Sequence, residues 1–472
     1  KNSIFYERLA FDEILSNLLL FKKIRKKINK VIKKNKIIPD VFLESIKSKI
    51  PFKLTNDQFK VIKEINKDLK SSKKMMRLLQ GDVGCGKTVV AFLTALCVIQ
   101  NNYQVAFMAP TEILALQHFD NFKKFFGDQN VNVEIVTSKI HQKKRKIVLD
   151  NIQNGKINFI IGTHALFQEK IKFKNLGYII IDEQHKFGVK QRIELASKGD
   201  VNTDVLLMTA TPIPRTLIIT NYGDMDLSTI SERPFANNIS TFLKPNDKIS
   251  EVLKFIEGRI KDLDQVFWVC PIIEESDKIK VKAVSERLEY LKNNTTYKID
   301  CMHGNLNEQD RVQILSNFLN NKLNLIVCTT IVEVGIDNPN VNTIIIENSE
   351  RFGLSQLHQL RGRVGRSGSK ANCILIYNKN LSELSKKRLK IIKDNTDGFL
   401  IAEEDLKLRG YGDILGFKQS GEKDFLIADP LYHSHLFDLA KEYIDQINDT
   451  ERFSMLLKIF NKQKIFNIID AG

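Results

Sequence analysis

Gly81 to Thr88 reads G-D-V-G-C-G-K-T, a set of residue types suited to holding a polyphosphate. Glycines at 81, 84 and 86 let backbone N–H groups come close to phosphate oxygens. Lys87 offers a cation that reaches β and γ phosphates, and Thr88 a hydroxyl for Mg²⁺. Further along, "YIIIDEQH" sets Asp182 and Glu183 at the end of an apolar run. Asp182 suits an outer ligand to the metal, and Glu183 suits the base that orients an attacking water. Upstream, Gln58 in "LTNDQFKVI" carries a paired donor and acceptor that could read an adenine edge; taken alone it reads as a plain polar helix residue. Arg361, Arg363 and Arg366 punctuate "QLHQLRGRVGR", and a planar, permanently charged side chain matches the charge on a γ-phosphate in transfer. An isolated R-G-R is an ordinary solvated loop. Together these residues point to hydrolysis of ATP with Mg²⁺.

Such groups need rigid elements behind them. The phosphate loop follows the strand-like "MRLLQ" and opens the helical "TVVAFLTALCVI", the context that gives the pattern meaning. The runs "QVAFMAP", "VEIVTS", "FIIGTH", "YIIIDE" and "VLLMTAT" are almost continuously apolar, as parallel strands buried on both faces must be. They alternate with segments of helical period, which predicts a doubly wound α/β domain over 55–235. "QVFWVCPI", "YKIDCMHG", "LNLIVCTT", "NTIIIEN" and "NCILIYN" predict a second over 236–390. Residues 1–54 read as a helical segment, and 391–472 as a helical, polar region with a Gly-rich turn.

The 472 residues carry a net charge of +16, which favours polyanionic partners such as nucleic acid. From Lys22 to Lys36 there are nine Lys or Arg and no acid. That run is read either as a solvated helix face or as a phosphate-contacting helix. The six cysteines are scattered without a C-x-x-C pair, which argues against a zinc site or a disulfide framework and fits a reducing cytoplasm. No apolar run approaches a membrane span, so no membrane partner is expected.

In order along the chain, "LLQGDVGCGKTVVA", "MAPTEILALQH", "GTHALFQ", "IIIDEQHKFGVKQR", "MTATPIPRTL", "CTTIVEVGIDNPN", "ENSERFGLSQLHQLRGRVGRS" and "DGFLIAEEDLKLRGYGDILGFKQSG" resemble the motifs of superfamily 2 helicases. In detail they resemble the RecG family of bacterial branched-DNA helicases. The resemblance implies two tandem RecA-like domains with parallel sheets, an N-terminal helical segment and a C-terminal helical hairpin and hook. It implies ATP and Mg²⁺ as cofactors and duplex or branched DNA as partner. A monomer in the bacterial cytoplasm is expected, with a single-stranded-DNA-binding protein as a candidate partner. Residue by residue, Thr111, Thr163, His164, Thr329 and Thr330 match motifs that touch the DNA backbone. Thr209 and Thr211 match the motif that couples hydrolysis to domain movement, and Gly335 and Asp337 a nucleotide-sensing end. Gln359, Arg363 and Arg366 match the motif whose arginines reach ATP from the second domain. Arg409 matches the translocation hook.

The family's N-terminal wedge domain has no counterpart in these residues, so the resemblance covers the motor and not fork recognition. Ser138 stands where the family has Gly, Tyr411 where it has Pro, and Cys85 in a variable loop position where Ser is common. Two other readings compete: a transcription-repair coupling factor type of duplex translocase, and a non-catalytic DNA-binding module with an inactive nucleotide site. The second fits poorly with Lys87, Asp182, Glu183, Arg363 and Arg366 all being present.

Overall fold

The computed structural model describes residues 3–129, 131–137, 142–163, 171–183, 202–214, 225–235, 238–271, 277–329, 340–365, 368–409, 425–429, 432–444 and 450–460, together with Leu166, Gly223 and Asn338. A seven-stranded sheet forms from β1 (Met76–Gly81), β2 (Gln104–Met108), β3 (Val133–Val136), β4 (Phe159–Gly162), β5 (Leu176–Ile181), β6 (Asp204–Thr209) and β7 (Asp226–Ile230), in the spatial order β3-β4-β2-β5-β6-β1-β7. Every pairing in it is parallel. The carboxyl ends of β5, β6 and β1 therefore lie side by side, which is where open α/β sheets hold ligands. Helices α3 (Asn56–Lys70), α4 (Lys87–Ile99) and α5 (Glu112–Phe126) bury Val61, Phe92 and Phe122 in a core against one face of this sheet.

The second sheet has six parallel strands in the order β10-β11-β9-β12-β13-β8. They are β8 (Ile239–Pro245), β9 (Gln265–Val269), β10 (Ile299–Met302), β11 (Leu325–Cys328), β12 (Val341–Ile346) and β13 (Ala371–Tyr377). Two apolar cores cover its faces. Sequence reading missed β7 and β8, and both are edge strands. Only two of their twelve residues are buried, so neither makes the continuous apolar run that marks a central strand.

The chain ends meet. Helix α1 (Ile4–Lys30) packs Ala10, Ile14 and Leu18 against Phe425, Leu436, Phe437 and Ala440, the last three of these from α13 (Ser434–Ile444). The carboxylate of Glu13, wholly buried, accepts the backbone N–H groups of Leu426, Ile427 and Ala428 at 2.5, 2.8 and 2.8 Å. The tail from Phe425 onward is thus fixed to the first helix of the chain.

The basic run starts inside α1 and continues beyond it; Lys23, Lys26, Lys30 and Lys34 are exposed, and other members are drawn into the protein. Lys33 and Lys36 are buried and both bond the Asp204 carboxylate, at 2.7 and 2.6 Å. Arg25 pairs with Asp226, and Lys22 donates to the Ile444 carbonyl at 2.6 Å. Lys33 and Lys36 are thus committed inside the protein while Lys22 and Arg25 are paired nearer its surface, because the segment lies along the first sheet and the tail. Among the described residues no helix is long and apolar enough to cross a membrane.

Candidate nucleotide site between the two sheets

The loop from Gly81 to Thr88 leaves a fully buried strand and enters α4. Gly84 and Gly86 hold φ of +78° and +84°, values that L side chains rarely adopt. A Cβ on Gly86 would lie 2.2 Å from Gln58 Nε2, and one on Gly81 2.5 Å from Cys85 Sγ. Gly86 is the N-cap of α4 and no side chain caps the helix there, so its first-turn N–H groups face the cleft with the positive end of the helix dipole. Lys87 Nζ folds back on its own loop, donating to the carbonyls of Gly81 at 2.7 Å and Asp82 at 2.9 Å. Burial raises the Cys85 thiol above its ordinary range, against the pull of Lys87.

Gln58 is more occupied than its sequence suggests. It forms a capping box with Thr55 at the start of α3, and its Nε2 donates to the Cys85 carbonyl at 2.8 Å. Both ends of the amide serve the protein, the second by holding the phosphate loop. Phe52 and Phe125 meet edge to face, centroids 5.8 Å apart, on the same wall of the cleft.

Asp182 follows β5, its N–H bonded to the Met108 carbonyl at 2.9 Å. One carboxylate oxygen accepts the Glu183 N–H at 3.0 Å. The other lies 3.0 Å from His118 Nε2. The imidazole comes from α5 and sits against Phe107, centroids 4.7 Å apart. Glu183 holds φ of +54°, and its carboxylate accepts the Ala210 N–H at 3.4 Å, joining the ends of β5 and β6. Beside it, the hydroxyls of Thr209 and Thr211 are 3.1 Å apart.

Helix α10 (Leu354–Arg361) brings the second domain to this cleft. Arg363 lines the same cavity of about 380 Å³ as Lys87, Thr88, Asp182 and Glu183, a volume in the range of small-molecule sites. Gly362 packs on Val83, where a Cβ would meet side-chain carbon at 2.7 Å. Arg361 turns away: its guanidinium donates to the carbonyls of Ile392 at 2.6 Å and Asn395 at 2.7 Å, and Gln359 is buried beside it. Thr111 caps α5, accepting the Leu114 N–H at 3.4 Å. Thr163 and Thr329 follow the carboxyl ends of β4 and β11, outside the cavity wall. His164, Thr330, Gly335, Asp337, Arg366, Ser138 and Tyr411 lie outside the described residues, as does the side chain of Arg409.

Sequence reading did not single out Asp82, His118, Arg233 or His358. Asp82 Oδ1 accepts the Val83 N–H at 2.7 Å and faces His358 Nε2 at 2.6 Å, while Oδ2 pairs with Arg233. Burial works to raise its pKa; the hydrogen bond from His358 and the charge of Arg233 outweigh this and hold it well below the usual carboxylate range. The available signals were an acid as second residue of the phosphate loop and histidines within two of the quoted motifs. None carries a spacing rule, so each reads as ordinary until the fold joins them.

Three family models match in order: DEAD/DEAH box helicase over residues 55–218, helicase conserved C-terminal domain over 247–368, and the C-terminal part of domain 3 of ATP-dependent DNA helicase RecG over 395–458. The chain is 44% identical to ATP-dependent DNA helicase RecG of Thermotoga maritima, over 94% of this chain and 57% of that one. A solved structure of RecG bound to a three-way DNA junction is similar with a TM-score of 0.75 and 41% identity, over 92% of this chain and 57% of that one. The chain thus spans a little over half the length of these two relatives. To ATP-dependent DNA helicase RecG of Haemophilus influenzae it is 39% identical over 98% of its own length and 68% of the relative's, and on this likeness the chain belongs to the RecG family.

Proposed function

We propose that the chain is a motor that hydrolyses ATP when bound to DNA and moves along duplex or branched DNA in repair and recombination. The observation that carries this is the cavity wall itself: Lys87, Thr88, Asp182 and Glu183 from one sheet face Arg363 from the other across a single cleft. The fit to a nucleotide rests on the two left-handed glycines, the uncapped helix start and the aromatic pair Phe52 and Phe125. Lys87 exchanges its two loop carbonyls for β and γ phosphate oxygens. Thr88 and Asp182 would hold Mg²⁺, whose charge would offset that of the phosphates. Glu183 orients and deprotonates the attacking water. Arg363, with Arg366, meets the charge that builds on the γ-phosphate, and Gly335 and Asp337 report the nucleotide to the second domain. Gln58 fixes the loop and borders the base.

A site divided between two domains closes and reopens with each turnover. Thr111, Thr163 and His164 on one domain and Thr329 and Thr330 on the other grip the phosphate backbone, so closure becomes a step that is indifferent to sequence. Thr209, Thr211, Gln359 and Arg409 transmit it. The test is ATP turnover with and without a three-way DNA junction. Turnover should rise with DNA, and Lys87→Ala should lower it by roughly a hundredfold or more. Turnover that DNA never raises, or that survives Lys87→Ala, defeats the proposal.

A further inference from the structure

The contacts of Asp82 reach beyond the nucleotide cleft. Its side chain and that of His358 are 7% and 5% exposed, so their 2.6 Å contact is shielded from water. On its other side, His358 Nδ1 lies 2.9 Å from an Arg361 guanidinium nitrogen. A guanidinium has donors only. Nδ1 must therefore accept, the ring proton sits on Nε2, and Nε2–H points at Asp82. Both ring nitrogens are used, and only one tautomer satisfies both partners.

Arg361, 1% exposed, passes the link onward. Its bonds to the carbonyls of Ile392 and Asn395 close off the C-terminal end of α11 (Glu383–Asp394), where a cation is also favoured by the helix dipole. The next helix, α12 (Gly398–Arg409), starts directly on the Asp82–His358 contact. A Cβ on Gly398 would lie 2.6 Å from Asp82 Oδ2 and 2.7 Å from His358 Nε2, so the helix can approach this closely only with glycine there. A second tie holds α12 to α10, the Ser355 hydroxyl donating to Asp405 at 2.7 Å.

The Asp82 backbone carbonyl is also one of the two that hold Lys87 Nζ. The residue that Lys87 leaves when it turns to a phosphate is thus the residue that His358 grips. We infer that Asp82, His358 and Arg361 form a positioning relay that sets the start of α12, and with it the helix ending at Arg409, according to the state of the phosphate loop. This route runs beside the cleft and does not pass through Arg363. It rests on the reading of the cleft as a nucleotide site.

Hydrogen–deuterium exchange on the whole chain, with and without a non-hydrolysable ATP analogue, tests the relay without requiring turnover. In the wild type the analogue should change exchange across residues 398–409 by roughly tenfold. His358→Leu, which removes both bonds, should reduce that change to less than about twofold. His358→Gln keeps a donor toward Asp82 and an acceptor toward Arg361 and should restore most of it. Gly398→Ala, which leaves all three relay side chains intact but forces the helix off the contact, should behave like His358→Leu and serves if that variant folds poorly. The relay is overturned if 398–409 does not respond to the analogue in the wild type, if His358→Leu and Gly398→Ala respond as the wild type does, or if His358→Gln is no better than His358→Leu. Failure of the cleft reading is recognised separately, by analogue that leaves exchange of residues 81–99 unchanged.

Discussion

Replacing Asp204 by Asn should destabilise the first domain by about 3–5 kcal/mol at neutral pH, the usual cost of removing one partner from a buried ion pair. The side chains of Asp204, Lys33 and Lys36 are all 0% exposed. Asn preserves the volume and one acceptor for the Met75 N–H, now 2.7 Å from the carboxylate, but brings no charge. Two ammonium groups are then left without a carboxylate, facing the carbonyls of Asp68 at 3.1 Å and Leu69 at 3.4 Å for Lys33, and that of Asn202 at 3.0 Å and the Tyr103 ring for Lys36. Lys33 can escape by losing its proton. From an ordinary pKa of ~10.4 that costs about 4.6 kcal/mol at pH 7, which caps the loss at that residue. Burial already lowers the pKa of Lys33, with Asp204 opposing it, so removing Asp204 pushes it lower still. The folded variant then binds fewer protons than the unfolded chain, and its stability rises with pH. The gap to the wild type should narrow by about 1.4 kcal/mol per pH unit for each lysine held neutral. Urea titrations of the transition assigned to this domain, at pH 7 and pH 9, measure both quantities. A loss under about 1 kcal/mol at pH 7, or a gap that does not change with pH, would show that the cluster is not the dry, charged contact described.

Glu13→Ala leaves the N–H groups of Leu426, Ile427 and Ala428 without their carboxylate and should cost about 2–4 kcal/mol, seen as early proteolysis of the tail beyond Phe425; tail protection equal to the wild type would contradict it. His118→Ala frees the Asp182 carboxylate and should raise the Mg²⁺ concentration for half-maximal ATP turnover roughly 10–100-fold, as loss of a partner to a metal ligand does, with His118→Gln closer to the wild type; an unchanged Mg²⁺ titration would show that His118 only packs. Alkylation of the native protein should modify Cys301 first, because it alone of the six cysteines is not fully buried. Burial raises Cys97 and Cys373 to about 12, and rapid native labelling of either would mean that its core opens.

Both sheets and the phosphate loop were legible in sequence because they rest on local patterns. A doubly buried strand such as "YIIIDE" must be apolar throughout, and a loop that cradles phosphate must have glycine where φ is positive. The edge strands β7 and β8 were not legible, since one face of each is solvated. Lys33 and Lys36 misled for a related reason: a lysine that will be buried has the same letter as one that will not, and its partner Asp204 stands far away in sequence. Arg361 and Arg363 are two residues apart in one motif, yet the first holds a helix end and the second faces the cleft. Only the direction in which α10 meets the first domain separates their tasks.

The backbone of Glu183 gives this site an exposed flank in evolution. A non-glycine residue held at φ of +54° costs about 1–2 kcal/mol relative to a residue that tolerates the left-handed region. Gly or Asn would relieve that strain and Glu does not. Stability and the chemistry proposed for this acid therefore pull in opposite directions at a single codon. In a lineage that ceased to need the motor, selection for a well-folded chain alone would erode Glu183 before Lys87 or Asp182. Where Glu is kept there despite this cost, the proposed role as base supplies the reason.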